Sequence, residues 1–330
     1  MSSIGLLDHA AQLRPGDSAQ WWRSAVGAPI AVKLCWILRL GVAMEFIGHG
    51  TAGFSRTTAW YPYFALFGFS KEFAHDYLFF ATGTADITAA LLMLVWPTRT
   101  VLAYMTVWGT FTAFLRPAAG ESWYEVLERG GNYGMSLALL LLVGFGGWSA
   151  RRWLTRIRPP ETLELQLATV LNWVMRISIA LLLIGHGGFG LLVRKHEWYD
   201  YFGFFGITAN TVDAAHLLTV FGTFEILLGI AVLVVPWRGF LVFVLFYKLV
   251  TELLRPLVGQ EVFQFIERSG DYALPLALFV LAGWVDRARP ETPMTTLATS
   301  TPEPAPSSDD LTDRPTGAFP VGGPATAPNA

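Results

Sequence analysis

Two histidines in this chain are each enclosed by glycines, at His49 and His186. Glycine on both sides lets a flat ligand or a neighbouring backbone approach the imidazole closely. An imidazole can shuttle a proton near neutral pH, hydrogen-bond a quinone carbonyl, or ligate a metal or haem. We predict both histidines as catalytic candidates; the alternative is a histidine satisfied by water or a nearby acid. No metal site is predicted and a haem is disfavoured, because the sequence contains no HxxxH, HExxH or other recognised ligand set.

Further polar and aromatic residues recur after each histidine. An aromatic cluster, a Leu-Arg-Pro step and a Glu-Arg-x-Gly-x-Tyr block each occur twice. Arginine suits anionic oxygens because its guanidinium can bind two of them at once. We predict that these residues bind a substrate on one outer face; the alternative is a surface cradle that seals a helix bundle. The predicted residues are Trp60, Arg116, Glu128, Arg129 and Tyr133, with Trp198, Arg255, Glu267, Arg268 and Tyr272.

Charged residues also lie inside the apolar stretches. Arg39 and Asp86 fall at similar depths on consecutive predicted spans, and Arg176 and Glu225 repeat the arrangement. A lone charge in hydrocarbon is costly, whereas a pair facing the interior of a bundle is tolerated. We therefore predict two intramembrane ion pairs, which would form either a proton or substrate site or a structural clamp.

The two copies of this set of residues differ in polarity. Glu45 stands four residues before His49, so the two side chains share one helix face. The second occurrence has Leu182 at that place. Conversely, Lys248 and Glu252 form an i, i+4 pair that the first occurrence lacks. The difference suggests that only one copy retained a function.

These correspondences extend over most of the chain as an internal repeat. The offset is 137 residues at the histidines (49 and 186) and 138 at the aromatic cluster (60 and 198). It is 139 from residue 83 to residue 133, matched with 222 to 272. Ordered matches with two small shifts indicate a tandem duplication.

The elements that must position these residues are predicted as membrane-spanning helices. A span needs about 20 mostly apolar residues. Four spans per copy would give both copies one orientation, related by an axis along the membrane normal. The predicted spans are 30–53, 78–96, 99–115 and 133–148, then 171–193, 212–235, 238–254 and 272–286.

The predicted fold is therefore all-α, a polytopic membrane protein with about eight spans in two parallel four-helix repeats. Arginines favour the linker between the copies and both flanks, which predicts a multi-pass cell-membrane protein with both termini in the cytoplasm. The predicted segments are an interfacial N-terminal region at 1–28, repeats at 29–155 and 165–290, and a disordered tail at 291–330.

The composition agrees with a membrane protein and excludes several other classes. Of the 330 residues, 53% are hydrophobic and only 15% are charged, compared with roughly 25% charged in soluble domains. A net charge of −2 gives no basic surface for nucleic acid. The single cysteine, Cys35, excludes an internal disulfide. No nucleotide-binding glycine loop or GxSxG motif occurs.

The order of features in each copy resembles the DoxX-like, or DoxD-like, integral membrane family. The second copy fits best, with Arg176, the glycines beside His186, the stretch 222–229 and Pro236-Trp237-Arg238. The first copy departs from the family at Asp86, where glutamate is expected. The resemblance implies a four-helix membrane unit and membrane redox chemistry, and it implies a role for Arg39, Asp86, Arg176 and Glu225.

Three functions remain open from the sequence. The first is a quinone-interacting redox subunit, with a soluble or membrane redox partner and an outward-facing polar site. The second is a non-catalytic scaffold or assembly subunit that holds a partner at the bilayer. The third is a small-molecule carrier, because parallel repeats about a membrane-normal axis are a known transporter plan.

Overall fold

Long helices follow one another in the same order in the two halves of the chain. The computed structural model describes residues 27–147, 149–207, 212–235 and 237–288. Within those residues the chain is helical and has no β-strand, apart from one isolated bridge between Thr98 and Arg156. The helices are α1 Ile30–Phe54, α2 Tyr61–Ala65, α3 Lys71–Val95, α4 Arg99–Ala118, α5 Tyr124–Glu128, α6 Gly130–Val143, α7 Ala150–Leu154, α8 Leu165–Val193, α9 Glu197–Phe204, α10 Val212–Val234, α11 Arg238–Leu257, α12 Val262–Ile266 and α13 Gly270–Ala288.

Three of these helices are long and apolar enough to cross a membrane. They are Lys71–Val95, Leu165–Val193 and the part of α10 from Ala214 to Val234. The other predicted spans also coincide with helices, but α1 and α11 contain several charges and α6 is only 14 residues long. The predictions for segments 1–28 and 291–330 lie almost wholly outside the described residues.

Local sequence signals account for the ends of the third long helix in each half. The Thr98 hydroxyl accepts a hydrogen bond from the Val101 amide at 3.2 Å and so caps the start of α4. A proline in the last turn of α4 and of α11 removes a backbone donor, which favours termination there. The chain then turns at Gly120 and Gly259, which have φ of +94° and +88°.

Glycines allow the first two long helices of each half to pack at close range. A methyl group on Gly50 would lie 2.9 Å from the carbonyl oxygen of Gly83, which joins α1 to α3. A methyl group on Gly187 would lie 2.5 Å from the carbonyl oxygen of Gly222, which joins α8 to α10. The glycine beside each histidine is therefore explained by a neighbouring backbone rather than by a ligand.

The two halves interleave. Helix α1 packs on α12 and α13 of the second half, and α8 packs on α5 and α6 of the first half. The hydroxyl of Ser269 donates to the carbonyl oxygen of Gly41 at 2.7 Å across this contact. Each first helix thus contacts the short helix and the last helix of the opposite half.

The outer faces of the bundle are apolar. Phe80 on α3, Val107 on α4, Val234 on α10 and Phe246 on α11 are each more than half exposed. The buried core lies instead at the centre, with Leu34, Leu171, Met135 and Leu278 among its fully enclosed side chains. A large exposed apolar surface of this kind marks a partner or a membrane.

Candidate functional site

Each glycine-flanked histidine is paired with a buried carboxylate on the neighbouring helix. Nδ1 of His49 lies 2.7 Å from Oδ2 of Asp86, and Nδ1 of His186 lies 2.6 Å from Oε2 of Glu225. Both acids are at most 1% exposed. Each contact engages only Nδ1 of its histidine, so Nε2 is left for a second partner. Nε2 of His186 lies 4.0 Å from Oε1 of Glu252.

These contacts correct the two predicted ion pairs, because Arg39 and Arg176 bind elsewhere. Nε of Arg39 donates to the carbonyl oxygen of Met93 at 2.6 Å, at the C-terminal end of α3. Arg176 donates to the carbonyl oxygen of Val235 at 2.9 Å, just beyond α10. The last carbonyls of a helix lack intrahelical partners and carry partial negative charge, so they attract the guanidinium. Asp86 lies seven residues before Met93, or about 10 Å back along α3 from the helix end that Arg39 binds.

A tryptophan covers each histidine. The rings of Trp60 and His49 lie 4.7 Å apart at 32°, and those of Trp198 and His186 lie 4.9 Å apart at 36°. Both tryptophans are 7% exposed. Each of the two predicted tryptophans therefore lies directly beside its histidine.

Three cavities meet at these walls. The vestibule is a polar cavity of about 740 Å³ between the halves, and it is lined by both histidines and both tryptophans. The first apolar pocket, about 250 Å³, lies behind His49 among Phe46, Phe64, Phe67, Trp108 and Phe111. The second apolar pocket, about 670 Å³, lies behind His186 among Phe202, Phe205, Phe221, Phe243 and Tyr247. Each histidine therefore borders the vestibule on one side and an apolar pocket on the other.

The four predicted arginines line the vestibule, and each is engaged by the chain itself. Their partners are carboxylates, with Tyr63 and Gln260 as additional neutral partners. These contacts are Arg116 to Glu121 at 3.4 Å, Arg129 to Glu125 at 2.6 Å and to Glu128 at 2.9 Å, Arg255 to Glu252 at 2.7 Å, and Arg268 to Glu128 at 3.1 Å. The guanidiniums are thus partly neutralised before any anion arrives.

The two predicted tyrosines have a positioning contact rather than a place in the cavities described above. The hydroxyl of Tyr133 donates to the carbonyl oxygen of Val126 at 3.2 Å, and that of Tyr272 donates to Phe265 at 3.1 Å. Each tyrosine therefore holds the short helix that precedes it, α5 or α12. The side chains of Glu128 and Glu267 do line the vestibule.

Sequence reasoning missed several residues of the site. Trp108 and Tyr247 occupy equivalent places on α4 and α11, and the hydroxyl of Tyr247 donates to Oε1 of Glu225 at 3.1 Å. The offset of 139 between them is the signal that would have found them. Lys195 was also missed. Its ammonium lies 2.5 Å from Oε1 of Glu125 at the vestibule wall.

The ion pair between the halves makes stability depend on pH. Burial alone would raise the pKa of the Glu128 carboxyl, but the adjacent guanidiniums of Arg268 and Arg129 outweigh burial and hold the pKa well below its ordinary range. A lowered pKa in the folded state stabilises the fold above the ordinary glutamate pKa of about 4.3. That stabilisation is lost as the pH falls through the folded-state pKa.

We therefore expect the unfolding midpoint to fall as the pH is lowered below about 4, and to fall less steeply in Glu128→Gln. Thermal unfolding of the detergent-solubilised protein between pH 7 and pH 3 measures both slopes. The exposed Glu161 provides the matched control, since Glu161→Gln should leave the slope unchanged. Equal slopes in the wild type and Glu128→Gln would show that this pair contributes nothing.

No group of three or more histidine, cysteine, aspartate or glutamate side chains suited to a metal ion occurs among the described residues. Comparison of the chain with protein-family models, curated proteins and solved structures finds no match.

Proposed function

We propose that this chain is a multi-pass membrane protein that binds a quinone at its histidine–carboxylate pairs and exchanges protons between that quinone and the outer vestibule. The observation that carries the proposal is the position of each histidine. It borders a polar cavity on one side and an apolar, aromatic pocket on the other. A quinone needs both environments, since its ring and tail are apolar and its reduction consumes protons.

The membrane part of the proposal extends the three apolar helices to eight spans in two parallel four-helix repeats. Exposed apolar side chains on α3, α4, α10 and α11 favour contact with lipid. Helices of 19 to 25 residues, such as α1, α4, α11 and α13, are long enough for a hydrocarbon core of about 30 Å. An even number of spans and the arginine bias support the proposal that both termini are in the cytoplasm. The resemblance to the DoxX-like family supports the same architecture and a redox partner.

The chemistry follows from the hydrogen bond at Nδ1. Asp86 and Glu225 each engage Nδ1 of their histidine, which leaves Nε2 as the atom that would bind a ligand. When the imidazole is protonated, Nε2 donates to a ring oxygen and the carboxylate stabilises the positive charge. Trp60 and Trp198 lie against the histidines at ring angles of 32° and 36° and so cover part of each imidazole.

The test is to purify the protein in mild detergent and to identify the co-purifying small molecules by mass spectrometry. We expect a quinone near one or two equivalents per chain, and at least a tenfold loss of it in the double variant His49→Ala, His186→Ala. His75→Ala is the matched control, since His75 is a partly exposed histidine that pairs only with Asp76 on its own helix. Ordinary lipids alone, or retention of quinone in the double variant, would overturn the proposal in favour of a scaffold or a carrier.

A further inference from the structure

The linker between the two repeats is folded onto the end of the bundle opposite the vestibule. Nη1 of Arg99, the first residue of α4, donates to the carbonyl oxygen of Arg152 at 3.2 Å. The amide of Ile157 donates to the carbonyl oxygen of Pro97 at 2.8 Å. Residues 150–158, which we call the linker platform, are therefore held in place against the start of α4.

The linker platform carries positive charge that the chain does not neutralise. It contains four arginines, all exposed, and no acidic residue: Arg151, Arg152, Arg156 and Arg158. No carboxylate among the described residues lies within 4.0 Å of any of these guanidiniums. The arginines of the vestibule differ, because each of them is paired with a carboxylate. The guanidiniums of the linker platform are thus free of ion pairs and open to a ligand.

Exposed tryptophans lie at the same end of the bundle as the linker platform. Four of them are between 46% and 71% exposed: Trp36, Trp96, Trp173 and Trp237. The guanidinium of Arg39 lies 4.6 Å from the centre of the Trp36 ring and also binds Met93, which brings Trp36 to the level where α3 ends. The guanidinium of Arg156 lies 5.7 Å from the centre of the Trp96 ring. Exposed tryptophans are typical of the boundary between membrane and water, so the linker platform lies at that boundary.

The chemistry of this surface identifies its ligand. A guanidinium binds phosphate oxygens through paired, charge-assisted hydrogen bonds, so the ligand carries a phosphate group. Leu154 lies between the arginines and is 64% exposed, and Trp96 beside Arg156 is also more than half exposed. The phosphate group must therefore belong to a molecule that is apolar elsewhere. A soluble phosphate has no apolar part, whereas an anionic phospholipid has both parts.

We infer that the linker platform binds an anionic phospholipid. The headgroup phosphate contacts Arg151, Arg156 and Arg158, and the acyl chains lie on the end of α3, where Leu91 and Val95 are more than half exposed. Basic clusters at the end of a membrane helix attract anionic lipids in this way. The inference rests on the membrane part of the proposed function and is independent of the quinone part.

The test is native mass spectrometry of the purified full chain in mild detergent, titrated with phosphatidylglycerol or with phosphatidylcholine of the same acyl chains. We expect phosphatidylglycerol to bind at least tenfold tighter, because only its headgroup carries a net negative charge. The triple variant Arg151→Gln, Arg156→Gln, Arg158→Gln should lose at least tenfold in affinity for phosphatidylglycerol and keep its affinity for phosphatidylcholine. Inorganic phosphate at the same concentration should not displace the lipid.

The matched control is the triple variant Arg56→Gln, Lys71→Gln, Arg194→Gln, which removes the same charge from exposed residues at the vestibule end. It should bind phosphatidylglycerol within about twofold of the wild type, because the two ends are further apart than the Debye length of about 10 Å. Equal binding of the two lipids to the wild type, which needs no substitution to measure, would overturn the inference and leave the proposed quinone site unaffected. An equal loss in both triple variants, or displacement by inorganic phosphate, would also overturn it.

Discussion

Replacing Gly185 by alanine should destabilise the protein by about 3 kcal/mol or more, because the new methyl group has no space. It would meet the backbone nitrogen of Glu128 and lie 2.6 Å from the carbonyl carbon of Leu127 and 2.7 Å from Cα of Glu128. Backbone atoms cannot rotate away as a flexible side chain can. Helix α5 would have to move off α8, and the contact between the halves would open.

The equivalent substitution in the first half should behave in the same way. A methyl group on Gly48 would meet the backbone nitrogen of Glu267 and lie 2.6 Å from its Cα and Cβ. Gly203→Ala is the matched control, because nothing lies within 4 Å of a methyl group there. Thermal unfolding in detergent and the yield of monodisperse protein measure the effect. If Gly185→Ala unfolds at the same temperature as Gly203→Ala, the close approach of α5 to α8 is wrong.

A second large effect is expected from Lys248→Met, which should cost about 3–5 kcal/mol of stability. The side chain of Lys248 is fully buried, and its ammonium lies 2.9 Å from Oε1 of Glu252 and 3.0 Å from Oδ2 of Asp271. Methionine keeps the length and removes the charge, so two buried carboxylates lose their shared cation. Glu252 retains Arg255 at 2.7 Å, whereas no other cation among the described residues lies within 4.0 Å of the Asp271 carboxylate.

The double variant Lys248→Met, Asp271→Asn should recover most of the loss, because the uncompensated carboxylate is then gone. Lys71→Met is the control, since Lys71 is an exposed lysine at the start of α3. The four unfolding free energies of the Lys248–Asp271 cycle give the coupling between the two residues. A coupling near zero would rule out the buried pair as a source of stability.

The positions of the helices were predictable from the sequence, because hydropathy and the repeat act along the chain. Every predicted span overlaps a helix. The repeat also identified both histidines and both acids. All four residues recur at a fixed spacing, and a spacing can be read directly from the sequence.

The pairing of those residues was not predictable, because depth along a helix does not give rotation about it. Arg39 and Asp86 were matched by depth, yet Arg39 turns towards the end of α3 and Asp86 turns towards His49. Trp108 was missed for a related reason. A single tryptophan on an apolar helix is typical of a membrane-interface belt, and only its equivalence to Tyr247 reveals that it faces the pocket.

The exchange of contacts between the halves was also hidden from the sequence. A tandem repeat suggests two units that each fold alone, and nothing in the pattern of apolar residues states which copy a helix packs on. The close contacts of Gly48 with Glu267 and of Gly185 with Glu128 determine which half each first helix packs on. These contacts involve backbone atoms. In the sequence, a close approach between two backbones is marked only by a glycine.

This interleaving has a consequence for biosynthesis. Helix α1 emerges from the ribosome about 200 residues before α12 and α13, the helices against which it packs. At roughly 5–20 residues per second that interval lasts on the order of 10–40 s. During it, the part of α1 around Gly41 and Gly48 lacks the neighbours from the second half that it contacts in the complete chain. Assembly is therefore completed only when the last helix is delivered, and a chain truncated late in translation would leave α1 without the helices on which it packs.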